Sequence, residues 1–84
     1  MRIYLQFSHI EQDQRPRYYQ LCLQADLLDG WNVIKEWGHQ GASGRSKMEH
    51  YNSLEEAQNA LFSARDQQIQ RGYRVMFVEG DKGL

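Results

Sequence analysis

The chain has 84 residues, the size of one domain, of which 40% are hydrophobic and 25% are charged. Ten Lys and Arg against eleven Asp and Glu give a net charge of −1, which excludes a strongly basic protein that coats nucleic acid through its overall charge. The single cysteine excludes an intramolecular disulfide, and no apolar run approaches the roughly 18–20 residues that span a bilayer. We therefore expect one cytoplasmic domain over residues 1–84, without a membrane span.

Alternation of apolar and polar residues predicts three strands in the first half of the chain. The first is Arg2–Ser8 and the second is Arg17–Ala25, whose odd-numbered residues should face the core. The polar segment 9–15 connects them. Asp29 and Gly30 form the strongest hairpin signal in the chain, within a turn over 26–30. The turn leads into a third strand, Trp31–Trp37.

A glycine-containing loop and a fourth strand follow the third strand. The loop contains Gly38, Gly41 and Gly44, and its glycines would let backbone N–H groups approach a ligand. Arg45–Tyr51 then has the length of a strand that returns antiparallel, although it contains few apolar residues.

One amphipathic helix and one last strand complete the predicted fold. Ser53 and Glu56 have the spacing of a capping box, which predicts a helix over Leu54–Arg71 ended by Gly72. The β-prone segment Tyr73–Glu79 predicts a final strand, after which residues 80–84 should fray. The expected fold class is α+β: an antiparallel sheet of four to five strands with the helix packed on one face.

The segment 31–47 is the strongest candidate for a binding edge. It carries Lys35, Arg45 and Lys47 against the single acid Glu36, next to Trp37. Trp37 can be a stacking platform for a base or sugar, or a core residue of the sheet. The cations can contact phosphates or lie on a solvated turn. Both alternatives remain open from the residues alone.

The order of several motifs resembles that of the WGR domain family, small modules found in poly(ADP-ribose) polymerases and in many bacterial proteins. The resemblance is strongest over residues 17–73. It rests on five features in this order: a tyrosine-rich strand (Arg17–Leu21), a Trp-Gly-x-x-Gly motif (Trp37–Gly41), a further glycine (Gly44), a capped helix start (Ser53–Ala57) and a Gly-Tyr pair (Gly72–Tyr73). One departure is that His39 occupies the position of the motif arginine.

The family resemblance implies an antiparallel sheet with one helix and a nucleic-acid-binding role, with contact to DNA near breaks in the polymerases. The implied site residues are Trp37, which would pack against a sugar or base, Gly38, which would let the backbone come close, and His39. We add Arg45, Lys47 and Lys35 as phosphate contacts, with Arg17 as a further candidate. DNA is expected over RNA, contacted through its backbone or its ends.

A second function class uses the same exposed aromatic edge to bind a partner protein, which the near-neutral charge would suit. Three histidines and Cys22 have no spacing typical of a zinc site, and no pattern places a base beside the cysteine. We therefore expect no enzymatic activity, no metal and no cofactor, and a monomer rather than an oligomer.

Nucleic-acid binding should strengthen as the pH falls through about 6.5, because histidine gains its charge in that range and His39 would then attract phosphate. The measurement is fluorescence anisotropy of labelled DNA from about pH 5.5 to about pH 8. The His39→Ala variant should show a smaller change with pH. A pH response that is flat in both proteins would contradict the expected role of His39.

Overall fold

Five strands and one helix follow one another in the described residues, 1–7 and 15–80, of the computed structural model. Their bounds are β1 (Arg2–Phe7), β2 (Arg17–Ala25), β3 (Trp31–His39), β4 (Arg45–Tyr51), α1 (Leu54–Gln70) and β5 (Arg74–Glu79). The strands form one antiparallel sheet in the order β4-β3-β2-β1-β5, and α1 packs against one face of it. The predicted α+β fold is confirmed.

The core lies between the helix and the centre of the sheet, because successive strand residues point to opposite faces. Leu21 of β2 and Val33 of β3 are fully buried, as is Leu61 of the helix. The other buried apolar residues are Ile3, Leu5, Leu23, Ala57 and Ala64. Residues of opposite parity, such as Tyr4 and Tyr18, therefore lie on the face that the helix does not cover.

The signals that predict the helix act as expected. Ser53 Oγ accepts a hydrogen bond from the Glu56 backbone N–H at 3.1 Å, which satisfies one of the free donors of the first turn. The buried residues of α1 recur every three or four positions, as in an amphipathic helix: Ala57, Leu61, Ala64 and Gln68. Gly72 ends the helix with φ +103°, and a Cβ there would lie 2.7 Å from the Phe7 ring.

Three predicted details differ from the structure. The third strand continues beyond Trp37, because Gly38 and His39 pair with Tyr18 and Arg17 of β2. Ala25 was expected on the core face but is exposed, because β1 begins opposite Cys22 and leaves the end of β2 without a neighbour on that side. The helix and the last strand each lose one predicted end residue to the connecting turn.

The end of the predicted first strand at Ser8, most of the connector over 9–15, and the tail over 81–84 lie outside the described residues. In the part of the chain that the structure describes, α1 is too short and too polar to cross a membrane.

Leu61→Ala should lower the free energy of unfolding by about 2–5 kcal/mol, because the side chain is fully buried and its loss leaves a cavity. That loss is a large part of the stability expected for so small a domain. Urea denaturation followed by circular dichroism measures it. The matched control is Asn59→Ala, at an exposed position of the same helix, which should change stability by less than about 0.5 kcal/mol. Similar losses in the two variants would contradict the assigned core.

Candidate nucleic-acid interface

Most of the predicted site residues converge at one end of the sheet, where β2 begins, β3 ends and β4 begins. The strand register places Tyr19 opposite Trp37 and Trp37 opposite Arg45. Arg17 lies opposite His39 at the extreme end. All five residues have odd numbers in adjacent antiparallel strands, so they lie on the same face as the helix.

Trp37 is half-buried and belongs to a cluster of aromatic rings. Its ring stacks on Tyr19 with the centroids 5.8 Å apart and the planes 13° from parallel. The Tyr73 ring contacts Tyr19 edge-on, with the centroids 6.0 Å apart. It also contacts Phe7 at a tilted angle, with the centroids 5.6 Å apart. The two alternatives from the sequence are therefore compatible, since Trp37 is anchored by Tyr19 and also reaches the surface.

Two adjoining cavities, of about 370 and 440 Å³, open beside this cluster and share Arg17, Trp37 and Tyr73 in their walls. We call the pair the Trp37 cleft. The first cavity is also lined by Gly38, His39, Ala42, Ser43 and Arg45, and the second by Phe7, Tyr19, Gln68 and Arg71. The cleft thus runs from the loop after β3 to the C-terminal end of α1.

The Trp37 cleft is positively charged although the chain as a whole is not. Arg17, Arg45 and Arg71 line it, and among the described residues no Asp or Glu lines either cavity. Arg17 also lies over the Phe7 ring at 5.8 Å, which holds its guanidinium near the opening. Because nearby acids would cancel part of the field, their absence from the lining concentrates positive charge around Trp37.

A second aromatic row, on the face that the helix leaves uncovered, holds the loop beside the cleft. Tyr4 stacks between Phe77 and Tyr18, with centroid distances of 5.2 and 6.1 Å. Tyr18 donates a hydrogen bond to Glu36 at 2.8 Å, and the Gln40 side chain donates to the Tyr4 hydroxyl at 2.9 Å. Because these rings pack against one another, we assign the row a structural role.

Gly38, near the end of β3, and Gly44, in the loop that follows, make room for that row. A Cβ at Gly44 would overlap the Tyr18 hydroxyl and lie 2.8 Å from the Trp37 carbonyl oxygen. A Cβ at Gly38 would lie 3.0 Å from the Cα of Gly44. The sequence suggested ligand contact as the reason for these glycines, whereas the structure gives a packing reason for both.

The two predicted lysines lie elsewhere on the same face. Lys35 Nζ is 2.9 Å from one carboxylate oxygen of Glu49, and Lys47 Nζ is 3.8 Å from the other. The hydrogen bond between Lys35 and Glu49 raises the pKa of the lysine and lowers the pKa of the carboxyl. Neither lysine lines the cleft.

The structure therefore brings together Trp37, Gly38, His39 and Arg45, and leaves Lys35 and Lys47 with Glu49. Arg71 and Tyr73 were not among the residues predicted for the site. Tyr73 belongs to the Gly-Tyr pair of the family resemblance, and Arg71 immediately precedes that pair. An antiparallel register drawn from the hairpin would also have placed Arg17 opposite His39.

Comparison with known proteins supports the same family. The family model of the WGR domain matches residues 1–77 of the chain. No curated protein and no solved structure matches this chain significantly. WGR domains are generally nucleic-acid-binding modules. With nearly the whole chain covered by the match, this protein belongs to the WGR domain family.

Proposed function

We propose that this domain binds DNA through the Trp37 cleft, where it contacts the sugar-phosphate backbone at or near a strand end. The observation that carries the proposal is the lining of the cleft. Three arginines surround a half-buried tryptophan, and no acid lines either cavity in the described part of the chain. Guanidinium groups bind phosphate oxygens in pairs of hydrogen bonds, and an indole ring packs on a sugar or base.

The two cavities of the cleft are lined by different cations. Arg45 and His39 lie on the side of the loop, and Arg71 lies on the side of the helix. Arg17 borders both cavities, so a backbone that passes Trp37 would meet a cation on each side. The cations contact the backbone, and stacking on Trp37 accepts any base, so the affinity depends little on base sequence. The proposal assigns binding to this cleft and no catalysis.

Protein binding by the same edge is the competing function, and the dependence of the affinity on salt distinguishes the two. Backbone contacts release counterions, so the logarithm of the affinity falls linearly with the logarithm of the salt concentration, by about 0.9 for each phosphate contacted on duplex DNA. A protein interface built mainly on the aromatic residues would depend much less on salt.

Trp37→Ala should weaken DNA binding about tenfold, because one stacked ring contributes about 1–3 kcal/mol. Arg45→Gln should lower the salt-dependence slope by about 0.9. Fluorescence anisotropy of a labelled, nicked duplex at several salt concentrations measures both effects. A covalently closed duplex without ends or nicks shows whether strand ends add affinity.

The matched control for Arg45→Gln is Arg65→Gln, which removes the same charge from the helix. Arg65 is 2.9 Å from Asp66 and lies over the Phe62 ring, and it does not line the cleft. Arg65→Gln should leave the DNA affinity and the salt-dependence slope nearly unchanged. If the wild-type protein binds no DNA at low salt, or if the two arginine variants behave alike, the proposal is wrong and protein binding becomes the better explanation.

Glu49→Gln should strengthen DNA binding and increase the salt-dependence slope by up to about 0.9 for each lysine that it releases toward phosphate. Glu49 holds both Lys35 and Lys47. Its lowered pKa keeps it ionised at neutral pH, so the two cations are partly neutralised there. The control is Glu55→Gln, which removes an exposed charge from the first turn of α1, at the other end of the helix from the cleft.

The same variant has a defined effect on stability. A carboxyl whose pKa is lowered by folding stabilises the protein above its unfolded pKa, and this contribution is lost as the pH falls through the lowered value. Glu49→Gln should therefore cost up to about 1 kcal/mol at pH 7 and progressively less in acid. Unchanged DNA affinity in Glu49→Gln would show that the two lysines take no part in binding.

A further inference from the structure

The two edges of the sheet differ sharply in composition. The β4 edge carries charged or polar residues at most positions, among them Arg45, Lys47, Glu49 and His50. The β5 edge has the sequence Arg-Val-Met-Phe-Val-Glu, with four apolar residues in a row between one cation and one anion. Charges on an edge strand discourage pairing with another chain, whereas an apolar edge permits it.

The apolar residues of β5 remain exposed on both faces of the sheet. Their exposed fractions are 40% for Val75, 55% for Met76, 44% for Phe77 and 51% for Val78. Val75 and Val78 pair with Leu5 and Ile3, which are both buried, so they lie on the helix side. They stay exposed because α1 packs mainly against β2 and β3 and makes few contacts with β5.

A row of unpaired backbone groups completes this surface. β5 pairs with β1 on one side, and within the described residues no strand pairs with it on the other. The register with β1 shifts at Met76, and on either side of this irregularity the outward N–H and C=O groups are available to a further strand. Exposed apolar side chains flanking such a row suit a strand that is itself apolar.

We propose that, in place of the monomer expected from the sequence, β5 pairs antiparallel with β5 of a second copy of this chain and forms a twofold-symmetric dimer. The charges at the ends of the strand select this occupant. An antiparallel copy brings the Arg74 end of one strand to the Glu79 end of the other. Glu79 already pairs with Arg2 of its own chain, but its side chain is 58% exposed and can meet a second cation at each end. Between them, the apolar residues of one strand lie beside those of the other.

The dimer joins the two sheets into one of ten strands, twice the five of a single copy. A twofold axis perpendicular to the sheet keeps both helices on the same face and reverses the strand direction. The two Trp37 clefts would then lie toward opposite ends of the joined sheet, and neither would be covered by the new contact. Dimerisation therefore does not depend on DNA binding, and its test needs no DNA.

Substitution of Met76 tests the pairing, because it lies in the middle of β5 and its counterpart in the second copy would lie close by. Sedimentation equilibrium of the wild-type chain should give twice the protomer mass. Met76→Lys and Met76→Glu should each give the mass of one protomer, because each charge would lie in the centre of the apolar contact and near the like charge of the second copy. An equimolar mixture of the two variants should recover the dimer, which a folding defect could not produce.

The matched control is Met48→Lys on β4, where the side chain is 62% exposed and the strand lies at the other edge. It should leave the dimer intact. A wild-type chain that stays monomeric at high concentration overturns the proposal and leaves the β5 edge to a strand from another protein. Loss of the dimer in Met48→Lys, or its persistence in both Met76 variants, would place the contact elsewhere and overturn it as well.

Discussion

One helix can cover only part of one face of a five-stranded sheet, and this limit determines which parts of the sheet stay accessible. An α-helix is about 10 Å wide, whereas neighbouring strands are spaced about 4.8 Å apart, so α1 shields two or three strands. It packs chiefly on β2 and β3, where Leu21, Val33 and Leu61 form the fully buried centre. The end of the sheet around Trp37 and the edge at β5 remain accessible.

The aromatic cluster couples the core to the cleft. Tyr19 lies between Trp37 and Tyr73, so the ring proposed to meet DNA is held by residues that also close the end of the core. Such support fixes the tryptophan in one orientation before a ligand arrives, which lowers the entropic cost of binding. It also means that changes at Tyr19 or Tyr73 would alter the shape of the cleft without touching the ligand.

The electrostatics are local, and the net charge of −1 conceals them. Arginines line the Trp37 cleft without an acid among residues 1–7 and 15–80, while the lysines further along β3 and β4 pair with Glu49. Only charges within about a Debye length of a bound phosphate, about 8–10 Å, act on it strongly in physiological salt. A near-neutral domain can therefore carry a site that attracts a polyanion, provided that its acids lie elsewhere.

The sequence by itself determined the elements and the fold class, because alternation along strands, the capping box at Ser53 and the glycine at Gly72 are local signals read within a few residues. It also singled out Trp37, Gly38, His39 and Arg45, which are close together in the chain. Only the tertiary structure decided that Arg71 joins them, that Lys35 and Lys47 are held by Glu49, and that β5 is an exposed edge. These three features depend on the strand order and on the position of the helix across the sheet. Both bring together residues that are far apart in the sequence, and no local pattern encodes them.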